Sequence, residues 1–557
     1  MDKVWLKSYS EGVPAVIDFE KITLSEALTR SSERFPGNTA LWFQGTGVSF
    51  QELENMVARF ASALVDMGVK PGDKVALLLP NLVQTVVAIF GTYRVGAVVV
   101  MNNPLYTDRE LEHQFKDSDA RILVSMDLLV PRMIPMMEKT GITKIIACHI
   151  RDFLPFPLKQ LFPLVKREMH RKTPAGPNIF EFTDLIRTND PIQNPHQCRW
   201  DDPAALLYTG GTTGVSKGVQ LTHGNLSANC QQGSAWFPAF VEGQETVIGC
   251  LPFFHSFGMT TAMNISVFRG WANVLIPRPE PKVILDAIDK YKATYIPAVP
   301  TLYNGMINFP GLKKYSLKSL KGCFSGGAPL PMETIKTFEE LTGAQICEGY
   351  GLTETSPVTH INPFGGKTKA GTIGLPVCNT DVKLVDVDDY GKDITAFNEP
   401  GELCIKGPQV MTGYINRPDE TSQTMKDGWL LTGDIAVCDQ EGYFAIVDRK
   451  KDMIISGGFN IYPRDVDEVL FSHPKISEAC AIGVPDEYSG ERIKAFVTFR
   501  EGESASEEEI IEYCRENLVK YKVPKYVEFI EELPKSAVGK ILRKELKAME
   551  LDRKKTT

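Results

Sequence analysis

Between residues 73 and 101 short apolar runs alternate with a helical stretch, and this rhythm constrains the fold more than any other feature. Asp73-Lys-Val-Ala-Leu-Leu-Leu-Pro80 reads as a buried strand with a turn before it, Leu82–Gly91 as a helix, and Val95-Gly-Ala-Val-Val-Val-Met101 as the next strand. Strands apolar on both faces need cover on both, and a helix between two of them lets them run parallel. The expectation is an α/β chain of parallel-rich sheets with helices on their faces. At 557 residues the chain exceeds one ordinary core, so two or more domains are expected.

Charge and composition then exclude several classes. The 61 Lys+Arg and 69 Asp+Glu give a net charge of −8, which carries no global nucleic-acid footprint. Asp2, Glu11, Asp18 and Glu20 interrupt the first twenty residues, which make no signal peptide. The uncharged run Val75–Tyr93 is broken by Pro80, Asn81 and Gln84 and reads as strand then helix, not as a membrane span. The 11 cysteines show no Cys-x-x-Cys pair, which fits a reducing, cytoplasmic setting, and for the same reason no zinc is expected.

The apolar run Ala204–Tyr208 leads into Thr209-Gly210-Gly211-Thr212-Thr213-Gly214-Val215-Ser216-Lys217-Gly218. Glycines let backbone N–H groups approach a ligand, and successive N–H groups make a nest for anions. Thr209, Thr212, Thr213 and Ser216 add hydroxyls and Lys217 a positive charge. The parts form a phosphate cradle, although Ser216 before Lys217 and Gly218 after it depart from the usual P-loop order. Read without context, the run is also compatible with a Gly/Thr-rich surface turn.

Further segments carry chemistry of the same kind. Phe324-Ser-Gly326-Gly327-Ala328-Pro329 is a strand end turning through two glycines. In Glu348-Gly349-Tyr350-Gly351-Leu-Thr353-Glu354-Thr355, Tyr350 offers a face for stacking, Thr353 a hydroxyl and Glu354 a hard oxygen suited to Mg²⁺. Asp434 ends Asp427-Gly-Trp-Leu-Leu-Thr-Gly-Asp434, and a carboxylate can accept two hydroxyl hydrogen bonds. His255, amid the aromatics of Leu251-Pro-Phe-Phe-His255-Ser-Phe-Gly258, reads by itself as a satisfied core residue. Lys540, in Leu533-Pro-Lys-Ser-Ala-Val-Gly-Lys540, reads by itself as a solvated one.

Together these segments resemble the adenylate-forming superfamily of acyl-CoA ligases, firefly luciferase and peptide-synthetase adenylation domains, from about residue 20 to 546. Gly401-Glu-Leu-Cys-Ile-Lys-Gly-Pro-Gln-Val-Met-Thr-Gly-Tyr414 and Arg449-Lys-Lys-Asp-Met-Ile454 are most similar to bacterial long-chain fatty acyl-CoA ligases. Ser456-Gly-Gly is richer in glycine than that pattern, and Leu431 stands where histidine is frequent.

The resemblance implies a large N-terminal AMP- and acyl-binding domain, residues 1–448, with a β-barrel-like part. A small mobile α+β C-terminal domain, 449–557, would pivot at a hinge about 448–451 centred on Asp448. It implies a nucleotide site of Thr209, Gly210, Gly211, Thr212, Thr213, Gly214, Lys217, Gly326, Gly327, Ala328, Glu348, Gly349, Tyr350, Gly351 and Thr353. Asp434 would hold the ribose, and Arg449 the ribose or phosphate. Lys540, Glu354, Thr353 and His255 would be catalytic, Glu354 would hold Mg²⁺, and CoA would pass Gly457, Gly458 and Phe459. The implied reaction turns a long-chain fatty acid, ATP and CoA into acyl-CoA through acyl-AMP, releasing pyrophosphate and AMP. A medium-chain or aryl acid ligase, an acyl-AMP ligase for a carrier protein, and a non-catalytic lipid-binding protein stay open as alternatives. Oligomeric state is not fixed by the sequence, and a homodimer is compatible with it.

Residues 151–172 break the strand–helix rhythm. On a helical wheel Leu154, Leu158, Leu161, Phe162, Val165 and Met169 share one side, and Lys159, Lys166, Arg167 and His170 lie mostly on the other. Such a stretch either docks on the anionic inner face of the cytoplasmic membrane or covers the core as a surface helix. Pro163 argues against one unbroken helix.

Overall fold

The computed structural model describes residues 3–209, 216–456, 459–486, 490–536, 539 and 541–556, the side chains of 459, 460 and 554–556 excepted. The chain forms two compact units, one of Trp5–Asp381 with Lys406–Leu430, the other mainly of Val382–Ile405 and the chain from Leu431 onward.

The larger unit is built on two sheets. In the first, Gln345–Gly351, Gly322–Ser325, Tyr295–Ala298, Thr246–Gly249, Ala272–Leu275 and Thr39–Phe43 lie side by side and run parallel. Antiparallel strands close its edges: Val358–Ile361 and Leu375–Pro376 on one side, Thr46–Ser49 on the other. In the second sheet, Pro203–Thr209, Val98–Met101, Lys74–Leu78, Ile122–Met126, Lys144–Cys148 and Ile179–Glu181 run parallel in that order. Lys217–Thr222 and then Gly413–Tyr414 add antiparallel strands beside Pro203–Thr209. Alternate residues of the second sheet, Ala76, Leu78, Val98, Val100, Leu123, Ile145 and Leu206, share one buried cluster with Leu111 and Phe115 of the helix Asp108–Ser118.

Local chemistry places the helices. Thr23 with Glu26, Ser49 with Glu52 and Thr107 with Glu110 form reciprocal capping boxes that satisfy two orphan donors at each helix start. The helix read as Leu82–Gly91 runs from Val83 to Arg94 and is buried at every position. Gly91 does not end it: a Cβ there would lie 2.7 Å from the Phe60 ring, so this glycine admits the neighbouring helix Phe50–Asp66. The turn comes at Gly96, with φ +72°, and the next strand starts at Val98.

The strands Asp381–Val385, Asp393–Ile394, Gly401–Lys406, Trp429–Cys438 and Phe444–Arg449 share one sheet and, apart from the end residues Asp381, Lys406, Trp429 and Leu430, belong to the smaller unit. This sheet is followed by an α+β portion. Ile454–Ser456, Phe459–Ile461, Ile476–Asp486, Gly490–Phe499 and Tyr526–Phe529 form one sheet. The helices Pro463–Phe471 and Glu507–Asn517 bury Val466, Leu470, Ile510 and Cys514 against it. Residue 448 lies inside the strand Phe444–Arg449.

Residues 151–172 form a 3₁₀ turn at Ile150–Phe153, an eight-residue helix Leu158–Val165 and a second 3₁₀ turn at Arg167–Met169. The stretch is not one helix, but Pro163 is not where it breaks; it lies inside Leu158–Val165. A proline there costs one backbone hydrogen bond of a short solvent-facing helix, whereas Pro155 and Pro157 stand in the break before Leu158. Among the described residues no helix is long and apolar enough to cross a membrane.

Candidate active site

Parallel strands end on a common edge, and the turns that leave that edge are where an open α/β sheet presents a ligand site. Three turns of the first sheet carry candidate residues: the one after Thr246–Gly249 leads to His255, the one after Gly322–Ser325 holds Gly326, Gly327 and Ala328, and the one after Gln345–Gly351 holds Thr353 and Glu354.

Close packing explains the glycines. A Cβ at Gly349 would meet the Phe324 ring at 2.4 Å and the His360 carbonyl oxygen at 2.9 Å. One at Gly351 would lie 1.8 Å from the Pro357 carbonyl oxygen, so the turn Leu352–Pro357 closes only over a bare backbone. Gly327 is required for a different reason, a φ of +84°. The fold thus draws Thr353 towards the His255 turn, where the Ser256 hydroxyl donates to Thr353 Oγ1 at 3.4 Å and Thr260 donates to the Ser356 carbonyl at 2.6 Å. His255 is half-buried, and its Nδ1 accepts the Phe257 amide at 3.2 Å, which puts a neutral ring's proton on Nε2.

Glu348 is buried, and Oε1 accepts the Leu330 amide at 3.3 Å, so it braces the turn that carries Gly326–Ala328. Tyr350 is half-buried and pairs across the strands with His360, ring centroids 6.0 Å apart. Burial holds the His360 imidazole down at about 3, so that ring is neutral.

The second sheet supplies the cationic side. Thr209 and Lys217 face each other at the end of the paired strands Pro203–Thr209 and Lys217–Thr222. The helix Asp108–Ser118 fixes that end: His113 Nε2 donates to the Ser216 carbonyl at 2.9 Å, and the Tyr208 hydroxyl donates to Asp117 at 3.0 Å. Gly210, Gly211, Thr212, Thr213 and Gly214 lie outside the described residues.

Tyr414 joins the two sheets' contributions. It sits on the strand beside Lys217–Thr222 and its hydroxyl donates to Glu354 Oε1 at 2.8 Å. Burial and the Glu354 carboxylate push the Tyr414 hydroxyl well above its ordinary pKa, so it is a donor at neutral pH. Lys217 is ion-paired with Glu420 and stands 5.0 Å from the Tyr414 ring centroid. Tyr414, Glu420 and Ser256 were not among the expected site residues. Tyr414 had a signal in the sequence, since it ends the segment Gly401–Tyr414; Glu420 had none. Asn225 caps its own helix with Thr222, and its amide donates to the carbonyls of Pro408 and Val410 at 2.8 and 2.9 Å, a structural role.

In the smaller unit the expected residues sit on paired strands. Asp434 is 2% exposed and lies opposite Arg449, whose Nε meets its Oδ1 at 2.9 Å. The Asp434 amide donates to Thr432 Oγ1 at 3.1 Å, and that hydroxyl donates to the Leu403 carbonyl at 2.7 Å. Asp448 accepts the Arg449 amide on one oxygen at 2.6 Å and the Arg464 amide on the other at 2.7 Å. The second bond satisfies an orphan donor in the first turn of the helix Pro463–Phe471, so Asp448 ties the strand Phe444–Arg449 to that helix. Burial raises the Asp448 pKa. Gly457, Gly458 and Lys540 lie outside the described residues, as does the Phe459 side chain.

The donor set suits Mg²⁺. The Glu354 carboxylate and Thr353 hydroxyl are hard oxygens on one half-buried turn, and Mg²⁺ takes one or two carboxylates beside substrate phosphates and water.

A family described as AMP-binding enzyme matches residues 28–415, and the AMP-binding enzyme C-terminal domain matches 465–540. The chain is 44% identical to a long-chain-fatty-acid--CoA ligase of Bacillus subtilis, covering 98% of this chain and 97% of that protein. It is 41% identical to a long-chain-fatty-acid--CoA ligase of Escherichia coli O157:H7, covering 98% of each. Among solved structures, the anthranilate CoA ligase AuaEII in complex with anthranoyl-AMP superposes with a TM-score of 0.83 at 26% identity, covering 96% of this chain and 98% of that one. ATP-bound MatB from Rhodopseudomonas palustris does so with a TM-score of 0.82 at 27% identity, covering 95% and 99%. This chain belongs to the AMP-binding enzyme family, within the adenylate-forming superfamily that its motifs resemble.

Proposed function

We propose that this chain is a long-chain fatty acid–CoA ligase that works through an acyl-adenylate. The observation that carries the reading is the joining of Glu354, Tyr414 and Lys217, a carboxylate, a hydroxyl donor and a cation. Near-full-length identity of 44% and 41% to bacterial long-chain-fatty-acid--CoA ligases supports the substrate class.

A carboxylate is a poor acyl donor because oxide is a poor leaving group. Its oxygen attacks the α-phosphorus of ATP, the bond to the β-phosphate bridging oxygen breaks, and pyrophosphate departs. The CoA thiolate then attacks the acyl carbon, and AMP leaves with the oxygen that came from the acid. No protein nucleophile is needed; the residues position groups and stabilise charge. Lys217 exchanges Glu420 for phosphate oxygen. Tyr414 keeps Glu354 oriented as an ionised acceptor. His255 and Thr353 line the reacting carboxylate and phosphate, with Tyr350 and Gly326–Ala328 on the adenine side. Asp434 takes the ribose hydroxyls and Arg449 the ribose or phosphate. Lys540 offsets phosphate charge during adenylation. Asp448 serves as the pivot, and Gly457, Gly458 and Phe459 line the CoA path. Mg²⁺, when bound at Glu354 and Thr353, supplies positive charge to the phosphates.

Pyrophosphate release measured over a panel of acids, with and without CoA, tests the reading. Long-chain acids should give the highest kcat/KM, with AMP release dependent on CoA. Preference for aryl or medium-chain acids would redirect the substrate, transfer only to a carrier protein would remove CoA, and no release with any acid would leave a lipid-binding protein.

Residues 151–172 are proposed to touch anionic membrane. Phe156, Leu158, Leu161, Leu164 and Val165 are exposed, as are Lys159, Lys166 and Arg167. Leu154 and Phe162 are half-buried and point the apolar side less cleanly than a helical wheel suggests. Binding to anionic vesicles should weaken with salt over a Debye length of about 8–10 Å, and Lys159, Lys166 and Arg167 changed together to Glu should abolish it. Equal binding by that variant would leave a plain surface helix.

A further inference from the structure

Away from the active-site turns, three side chains from separate segments converge. Asp127 follows the strand Ile122–Met126, His149 follows the adjacent strand Lys144–Cys148, and His170 follows the 3₁₀ turn Arg167–Met169. Asp127 is 1% exposed and His149 4%. Asp127 Oδ2 lies 2.8 Å from His149 Nδ1 and 3.2 Å from His170 Nδ1, and it also accepts the Arg171 amide at 2.9 Å. Three donors therefore crowd one carboxylate oxygen, which has about two lone pairs to offer.

The other side of His149 is equally informative. Its Nε2 lies 2.9 Å from Glu181 Oε2 and 3.2 Å from Thr173 Oγ1. An imidazole whose outer N–H is held by a carboxylate, with its inner nitrogen turned to other donor atoms, is the arrangement that orients metal-bound histidines. The ligand atoms of Asp127, His149 and His170 all lie within 4.8 Å of one another. A tetrahedral site with bonds of about 2.0–2.1 Å has donor atoms roughly 3.3 Å apart; the His170 spacing of 3.2 Å to Asp127 Oδ2 matches this, and the His149 spacing of 2.8 Å would have to open slightly.

We propose that Asp127, His149 and His170 bind one divalent transition-metal ion of the zinc class, with Glu181 as a positioning residue. Two imidazoles and a carboxylate suit such an ion better than Mg²⁺ or Ca²⁺, which prefer oxygen ligands. The ion takes the place of the ring protons between Asp127 Oδ2 and the two Nδ1 atoms, leaving that oxygen one ion and the Arg171 amide. His149 and His170 bracket the helix Leu158–Val165, so the ion clasps the exposed segment onto the edge of the second sheet. The proposal does not depend on which acid the enzyme activates.

The test uses the full-length protein, stripped with EDTA and reloaded with Zn²⁺ or Co²⁺. About one equivalent of Zn²⁺ should survive gel filtration. Co²⁺ should give the intense visible bands of a four-coordinate ion with nitrogen ligands. His170→Ala, which changes the most exposed of the three ligands, should lose both signals while thioester synthesis continues. Glu181→Gln should keep the bands and weaken binding by about 10–100-fold. Absence of the Co²⁺ bands, or the same zinc stoichiometry in wild type and His170→Ala, would leave a hydrogen-bonded ion-pair cluster and overturn the site.

Discussion

The two compact units hold their candidate residues by different means. In the larger, Gly326–Ala328, Thr353 and Glu354 ride on turns whose shape is set by positions where a Cβ does not fit. In the smaller, Asp434 and Asp448 ride on paired strands and are held by a cation or by backbone amides. Turn-borne residues depend on backbone shape, so steric change removes fold and function together. Strand-borne carboxylates depend on charge and hydrogen bonds, so an isosteric neutral replacement should weaken binding and keep the fold.

The largest effect is expected at Gly351. Gly351→Ala puts a Cβ 1.8 Å from the Pro357 carbonyl oxygen. Backbone has no rotamer to yield, so the cost should be at least about 3 kcal/mol in urea unfolding, with loss of pyrophosphate release. Gly327→Ala meets Val299 only at 3.6 Å and carries a left-handed φ of +84°, so it should cost about 1–2 kcal/mol. Equal costs at the two positions would remove the steric side of the contrast.

Next comes Glu354→Gln, which keeps shape and removes charge. Pyrophosphate release should fall about 10²-fold, the order seen when one charge-stabilising group is lost. Tyr414→Phe removes the hydroxyl that holds Glu354, a charged hydrogen bond of about 1.5 kcal/mol, so release should fall about 10-fold. Full activity of Tyr414→Phe at limiting Mg²⁺ would mean that Glu354 needs no orientation.

In the smaller unit, Asp434→Asn should raise the KM for ATP about 10-fold and leave kcat nearly unchanged, since the ribose contact proposed for it would be uniform binding. Thermal unfolding of Asp434→Asn should stay close to wild type. A large stability loss would show that the pair with Arg449 is structural.

A further effect is acid sensitivity. Burial holds His223 down at about 4 and His360 down at about 3, while an unfolded histidine takes up its proton near 6.5. The unfolded chain binds more protons below that value, so stability is present above about pH 6.5 and is lost as pH falls. Each ring contributes up to about 1.4 kcal/mol per pH unit. Urea midpoints at pH 7 and 5 should diverge less in His360→Gln than in wild type; equal divergence would assign the acid loss to other groups.

Much of this was legible in the sequence because its chemistry is local. The apolar run before Thr209 states a strand, and the glycines of Glu348–Thr355 state a strand end and a turn, within a few residues. What was not legible comes from the order of strands. Tyr414 reaches Glu354 because Gly413–Tyr414 adds to the edge of the second sheet. Gly91 reads as a helix end because the Phe60 ring beside it is 31 positions away in sequence. His149 and Asp127 meet because two parallel strands end side by side, a convergence that cysteine spacing does not reveal. His170 read as one more basic residue of 151–172, whereas its ring turns inward to Asp127.

The acyl-adenylate itself can be tested with a long-chain fatty acid labelled with ¹⁸O in its carboxylate. In a single turnover with ATP and CoA, attack of the carboxylate on the α-phosphorus leaves one labelled oxygen in AMP after thioester formation. Mass spectrometry should find that label in AMP and none in pyrophosphate. Label in pyrophosphate or inorganic phosphate, or unlabelled AMP beside acyl-CoA, would contradict activation through acyl-AMP.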